Sequence, residues 1–536
     1  MNYAKLYNPN KTPQNEKAPG KDQVENNAGG FVFKLDKWHR LERFLILGSD
    51  SNTYYQHAKA LTRENAGVVM ECWAEDPHRT ATVISDISFR GRAAKQDPAF
   101  FALALGVIHD REDVRAAAFS IVPHVCRTAS HLFEWVALAR QLGKGWGRSM
   151  KRAVADWYAS KPTDKLAYQM IKYRSRAGLN HKLLIELSHK GAGEDWQKNA
   201  LYRWVRGRDV AHQDLPDQVV AHIDAMQAPN RHVLMDLVTK HRLPWEAIPT
   251  SALNDPGVWK AMLPNMPLTA MIRNLGNMTA CGAIGPMDHA EVSKALQNEE
   301  SLKRARVHPF TILQALAVYK SGQGVRGDKS WQPVTQVIDA LDGAFYKAFS
   351  NVEPTGKRIL IGLDTSSSMN APMMGSPLRV SEASAAMCLV TLATEANTHV
   401  VGFTGKGGRA WAFQKEPAVS PLNISARQRL DDVVSYVGGL TFGRTDCSLP
   451  MLYAMENGLD VDAFVIYTDN ETWCGNIHPF EALKQYRRKT GINARLIVVA
   501  MTSTGFTIAD PDDAGMLDMV GFDSSGPALI SDFIKR

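Results

Sequence analysis

From about Asp36 to Lys347, apolar residues recur at the three-to-four spacing of helices that bury one face, with almost no two-residue alternation. Trp38–Leu47, Pro98–Ile108, Val114–Val125, Leu132–Leu142, Asp217–Met226 and Val334–Ala348 read as helices of this kind, and short turn segments such as Gly191-Ala-Gly193 and Asp255-Pro-Gly257 separate them. Many helices joined by short loops predict stacked helical pairs, an α-solenoid. No clean repeat period emerges, so an irregular helical bundle is the alternative. The pattern changes after Asn351-Val-Glu-Pro-Thr-Gly-Lys357, a polar Pro/Gly segment. Beyond it, apolar runs fit for strands (Arg358–Asp364, Thr398–Thr404, Ala410–Gln414, Asp462–Tyr467, Ala494–Met501) alternate with helical ones (Arg379–Asn397, Ala426–Val437, Pro450–Glu456, Pro479–Thr490, Ala528–Ile534). That alternation predicts a doubly wound α/β domain over 357–536.

The first of those strands ends in Asp364-Thr-Ser366-Ser-Ser368, on a strand-to-helix loop where open α/β sheets place ligands. A carboxylate with two spaced hydroxyls is a set of hard oxygen donors, suited to Mg²⁺ and unsuited to zinc or copper. Further oxygens follow in order: Thr445 in Gly443-Arg444-Thr445-Asp446, then Asp469 at the end of a second apolar strand. The plain alternative is that these groups only cap helix N-termini. D-x-S-x-S, a loop Thr and a strand-end Asp together resemble the von Willebrand factor A pattern and its metal-ion-dependent adhesion site.

At 536 residues the chain is long enough for two or more cores. It has no apolar run of about 18 residues or more, the length that spanning a membrane requires. Residues 1–29 are polar, lack the apolar stretch of a signal peptide, and read as a flexible tail. Six cysteines without a C-x-x-C pair suggest no disulfide framework and a reducing, cytoplasmic setting. The formal net charge is +7, but it is unevenly spread. From Lys357 onward 16 basic residues face 19 acidic ones, whereas upstream 46 face 36. Within Arg140–Arg208 the ratio is 16 to five. This surplus points to a polyanion, most simply nucleic acid, against the bland reading of a solvated face.

Thr163–Gly178 reads as one helix. Leu166, Met170, Tyr173 and Ala177 share a packing stripe, Lys165, Lys172 and Arg176 a second stripe for solvent or ligand, and Arg174 points elsewhere. Asn180 is a candidate cap for the next helix, whose apolar face is Leu183, Leu184 and Leu187, with His189 on its polar side. Cations on adjacent helices suit phosphates. The interleaved Trp146, Tyr173, Trp196, Tyr202 and Trp204 offer stacking for unpaired bases, although any one of them is a reasonable core residue.

Over about 30–536 the chain resembles the Ro autoantigen (TROVE-domain) family, bacterial members more than animal ones. The resemblance is carried by Arg43-Phe-Leu-Ile-Leu-Gly-Ser-Asp-Ser-Asn-Thr-Tyr-Tyr55, Ala153-Val-Ala-Asp-Trp-Tyr158, Lys172-Tyr-Arg-Ser-Arg176, His181-Lys-Leu-Leu-Ile-Glu-Leu-Ser-His189, Arg306-Val-His-Pro-Phe310, Thr445-Asp-Cys-Ser-Leu-Pro-Met451 and Thr468-Asp-Asn-Glu-Thr472. It implies a multidomain α plus α/β protein: a ring of HEAT-like helical repeats (the TROVE domain, 30–350) closed by a Rossmann-like von Willebrand factor A domain (357–536). It also implies binding of Y RNA on a basic outer surface, and of the single-stranded 3′ ends of misfolded noncoding RNA through a central hole, in RNA quality control. By motif match the RNA-binding residues are Lys172, Arg176 and His189, and the ligands of a divalent metal, Mg²⁺, are Asp364, Ser366, Ser368, Thr445 and Asp469. The remaining expectations are a monomer with no membrane contact and a protein partner, such as an exoribonuclease, docked through the von Willebrand factor A domain. The alternative is a metal-dependent protein-interaction scaffold in which RNA is secondary. Catalysis has no support: no Walker A loop, H-E-x-x-H or nucleophile elbow is present. Two departures stand out. Animal members carry Gly-Gly-Thr where this chain has Gly443-Arg444-Thr445, so a cation is expected beside the metal. The N-terminal segment also has no obvious counterpart.

Overall fold

The computed structural model describes residues 11–47, 63–90, 96–188, 195–305, 307–324, 328–371, 377–405, 418–440, 444–500, 506–520 and 526–535. The chain folds into two compact units, one formed by 60–305 and 319–343, the other by 1–59, 306–318 and 344–536.

The first unit is helical. Successive helices pack on near neighbours in sequence, as stacked pairs do: Asp97–Ile108 lies against Ala129–Gln141, Arg148–Ala159 against His181–Ser188, and Asp217–Met226 against both Thr163–Lys172 and Arg231–His241. Asp97–Ile108 is the most enclosed, with every residue from Pro98 to Val107 buried. Its Ala102 carbonyl accepts a 2.9 Å hydrogen bond from the buried Trp73 indole. Side-chain caps set several starts, with Asp76, Thr128, Asp195 and Asn230 each accepting from a backbone amide in the first turn.

Two expected helices are shorter than their apolar patterns. Val114–Val125 is two helices, Glu112–Ser120 and Val122–Val125, because Pro123 supplies no amide to continue the first. The helix expected over 163–178 ends at Lys172, and a two-residue hairpin follows, pairing Ser175 with Asn180 and Arg176 with Leu179. Its loop is Ala177-Gly178, with φ of 51° and 76°. Positive φ at both loop positions is what a tight hairpin matching strand twist requires, and Gly178 adopts it without cost. Arg176 therefore sits on a hairpin, not on the helical stripe of Lys172.

The second unit is built on a six-stranded sheet in the order Met516–Val520, Arg495–Ala500, Ala463–Thr468, Arg358–Asp364, Asn397–Phe403, Val419–Pro421. All neighbours are parallel except the last pair. The helix pairs Val380–Thr394 with Leu430–Gly438 and Leu449–Glu456 with Pro479–Thr490 accompany it. Strand Arg358–Asp364 is central. The chain goes first to the strand on one side and later to the strand on the other, so the topological switch point lies between Asp364 and Thr468, at the carboxyl ends. The short strand expected at Ala410–Gln414, like the Gly191–Gly193 turn, lies outside the described residues. Strand Met516–Val520 had no clear signal in its apolar pattern.

The flexible-tail reading of residues 1–29 does not hold for the described part, 11–29. Strands Gln23–Glu25 and Phe31–Lys34 pair with each other, and the latter pairs with Phe506–Thr507. Ala18, Val32 and Phe33 join the core of the sheet unit. Gln14 is fully buried: its amide donates to Asp446 Oδ1 (2.7 Å) and the Ile477 carbonyl (2.9 Å), and its oxygen accepts from Thr472 Oγ1 (2.5 Å). The segment is polar in composition but buried because its partners lie more than 400 positions away. The expected boundary near 350 also moves. Residues from 344 belong with the sheet, where Tyr346 Oη accepts from the Leu430 amide and Asn351 donates to the Val307 carbonyl.

Candidate functional site

Two constellations, one in each unit, carry chemistry. In the sheet unit, Asp364 and Asp469 end the two strands that flank the switch point, and both are buried. Asp364 Oδ1 accepts from the Ser366 amide (2.9 Å) and Oδ2 from Thr468 Oγ1 (2.7 Å). The Ser366 and Ser368 hydroxyls lie 2.8 Å apart. Asp469 Oδ1 accepts from the Glu471 amide (3.0 Å), while Oδ2 is buried with no hydrogen-bond partner. Thr445 is also buried, its carbonyl accepting from the Trp473 amide at 3.1 Å. Burial raises the pKa of both carboxyls, and for Asp364 the charge of Asp469 adds to the effect.

Two buried carboxylates, one with an unpartnered oxygen, ringed by hydroxyls, form a donor set that a hard divalent cation satisfies. Among the described residues no group of three or more His, Cys, Asp or Glu is arranged for a metal, so a thiolate- or imidazole-type centre has no counterpart there. Arg444 does not extend this set: its guanidinium lies 4.7 Å from the centre of the Trp473 ring, a cation–π contact. Asp446, next to Thr445, is the residue gripped by Gln14, so the N-terminal segment reaches the rim of this site.

In the helical unit, a groove of about 660 Å³ is lined by Lys172, Tyr173, Arg174 and Arg176 from the helix end and hairpin. His131 and Trp245 are among the rings that line it. Lys172 and Arg176, expected together on a helix stripe, are brought to one groove by the turn after the helix. His189 lies outside the described residues.

Lys172 Nζ bonds Glu246 Oε1 at 3.1 Å and Tyr168 Oη at 3.2 Å, within 5.5 Å of the Tyr173 ring centre. Burial lowers its pKa, but the Tyr168 hydrogen bond and the Glu246 charge outweigh this and leave it raised. Arg176 Nε bonds Glu134 Oε1 at 2.6 Å. Arg174 donates to the Ile171 and Glu246 carbonyls.

The sequence pattern missed what holds this edge in place. His181 is buried, and its Nε2 lies 3.0 Å from the Tyr173 carbonyl, its Nδ1 2.8 Å from Tyr158 Oη. A carbonyl only accepts, so Nε2 carries the proton and Nδ1 accepts from the tyrosine. Asn180 does cap the helix His181–Ser188, accepting from the Leu183 amide at 2.9 Å. Of the interleaved aromatics, Tyr202 is core, whereas Trp196 is 60% exposed.

Comparison with known proteins places the chain in a family. A family model described as the TROVE domain matches residues 24–205 and 220–318. One described as the Ro60 vWA domain matches 358–534. The chain is 38% identical to the RNA-binding protein RO60 of Deinococcus radiodurans, covering 100% of this chain, N-terminal segment included, and 99% of that protein. It is 36% identical to the RNA-binding protein RO60 of Caenorhabditis elegans, covering 96% and 90%. The crystal structure of the Deinococcus radiodurans RO (RSR) protein matches with a TM-score of 0.72 at 37% identity, over 93% of this chain and 99% of that one. A helical TROVE region followed by a von Willebrand factor A domain on a mixed sheet, matched along nearly the full length, makes this chain a member of the TROVE-domain Ro60 family.

Proposed function

We propose that this protein is a non-catalytic RNA-binding protein. It takes small Y RNA on the basic face of its helical unit and the single-stranded 3′ ends of misfolded noncoding RNA through a central ring, and so acts in noncoding-RNA quality control. The observation that carries this reading is the groove where Lys172, Arg174 and Arg176 meet Tyr173 and Trp245, cations for phosphates beside rings for bases. Two relatives of full-length similarity named as RNA-binding proteins support it. Reversing Lys172 and Arg176 to Glu should weaken binding of a labelled hairpin RNA with a single-stranded 3′ tail by at least about tenfold at moderate salt, and flatten the dependence of affinity on salt. Unchanged anisotropy titrations would remove the assignment.

The sheet unit supplies an accessory docking point on this reading. Asp364, Ser366, Ser368, Thr445 and Asp469 would hold Mg²⁺, and the unpartnered, buried Asp469 oxygen favours such a cation. When bound, the ion supplies an open coordination position for a partner's carboxylate, which is how a protein such as an exoribonuclease would be captured.

A further inference from the structure

We propose that Glu134 and Glu246 are built-in occupants of the phosphate positions of the groove, which RNA must displace in order to bind. This rests on the reading of the groove as the nucleic-acid face. Among the described residues that line the groove, the three cations Lys172, Arg174 and Arg176 face three carboxylates, Asp97, Glu134 and Glu246. A groove so balanced has no formal net charge, although its three cations come from the basic stretch Arg140–Arg208. The two cations that match the family's RNA motif are the two in ion pairs: Lys172 with Glu246 at 3.1 Å and Arg176 with Glu134 at 2.6 Å.

The pairs are unequal in exposure. Arg176 keeps 55% of its side chain in water and Lys172 25%, while Glu134 keeps 19% and Glu246 13%. The cations thus present an open side to a ligand while the carboxylates stay lodged in the wall. Neither carboxylate is a cap or a core network of the kind that fixes a helix. Each makes a charged contact across elements, Glu134 from helix Ala129–Gln141 and Glu246 from the 3-10 turn Trp245–Ala247. A phosphate oxygen offers the same acceptor chemistry to the same nitrogens. A lone phosphate or a nonspecific anion gains little by replacing a lodged carboxylate. A strand that offers two phosphates at the spacing of Lys172 and Arg176 replaces both at once. The carboxylates therefore act as specificity-determining groups: they lower affinity for any polyanion and lower it least for one of matching shape.

A salt signature follows. Each phosphate neutralised releases counterions from RNA, but each carboxylate set free takes up a cation and offsets part of that release. Removing a carboxylate should steepen the salt dependence, the opposite of removing a cation.

The test uses the full chain and a fluorescein-labelled hairpin RNA with a single-stranded 3′ tail. Glu246→Gln and Glu134→Gln should each tighten binding about threefold to tenfold and steepen the logarithmic salt slope by up to about one. In a Lys172→Gln background, Glu246→Gln should have no further effect on affinity, a coupling that a merely structural Glu246 would not produce. If either Gln variant binds RNA equally or more weakly, while Lys172→Glu with Arg176→Glu still abolishes binding, the displacement idea falls and the RNA face stands. If the double charge reversal leaves binding intact, the RNA reading itself falls. Should Glu246→Gln melt early, Glu246→Asp, which retains the charge on a shorter arm, must bind RNA between wild type and the Gln variant of Glu134.

Discussion

At the scale of the residue, His181 shows how a buried group can position a site without touching a ligand. Its proton on Nε2 holds the Tyr173 carbonyl at the end of helix Thr163–Lys172, and its Nδ1 is occupied by Tyr158. Burial pushes its pKa down to about 4, with the hydrogen bond to Tyr173 working weakly the other way. An unfolded histidine titrates near 6.5, so between that value and about 4 the unfolded chain binds a proton that the folded chain refuses. Stability therefore falls as the pH drops through this window, by roughly 2 kcal/mol at pH 5 from this group alone. Urea unfolding of wild type and His181→Gln at pH 7 and pH 5 should give a smaller pH difference in the variant by about that amount. His131 and His308, also held near 4 by burial, remain in both proteins and set the residual dependence. Arg444 teaches a related lesson. Its place next to Thr445 was plain in the sequence, but the direction of its side chain was settled by the Trp473 ring.

At the scale of the element, the hairpin after Lys172 decides the shape of the groove edge. Apolar spacing alone carried the helix through to Gly178, since Tyr173 and Ala177 fall on the packing stripe. The backbone instead turns, with positive φ at Ala177 and Gly178. Ala177 is the less suited of the two, because its Cβ disfavours that region by roughly 1–2 kcal/mol. Ala177→Asn should relieve part of this, raising stability by about 0.5–1 kcal/mol and slowing hydrogen exchange across 175–180. Gly178→Val should do the reverse, with little effect on the neighbouring helices, and should loosen Arg176 and weaken RNA binding. Equal exchange in all three proteins would mean that the turn does not govern this edge. Boundaries of elements with a proline or a capping side chain, such as Pro479–Thr490 and Asp217–Met226, were legible to the residue. Those ended by a turn in an apolar pattern were not.

At the scale of the whole chain, the polar N-terminal segment is the largest departure from the sequence reading. Its side chains reach the loop that follows Asp469 and the loop that carries Thr445: Asn26 donates to the Thr472 carbonyl at 2.8 Å, and Gln14 joins Asp446, Ile477 and Thr472. Gly475 is the floor under Gln14. A Cβ there would lie 2.3 Å from the Gln14 amide nitrogen and 2.4 Å from Asp446 Oδ1. Gly475→Ala should therefore expel Gln14, cost about 1–3 kcal/mol for the broken buried hydrogen bonds, and open residues 12–34 to limited proteolysis. Proteolysis at the wild-type rate would show that the segment is held by its strand pairing alone.

The sequence by itself determined the two architectures, the order of the strands that carry Asp364 and Asp469, and the family, because burial periodicity and strand-end motifs are local and survive without knowledge of contacts. It placed Asp364 at the end of one strand, with Ser366 and Ser368 just beyond it, and Asp469 directly after another for the same reason. Only the tertiary structure decided that Lys172 and Arg176 share a groove through a turn, that each faces a carboxylate from another element, and that the N-terminal segment packs on the sheet unit. Those outcomes depend on partners distant along the chain, whose electrostatic and packing energies no local pattern encodes.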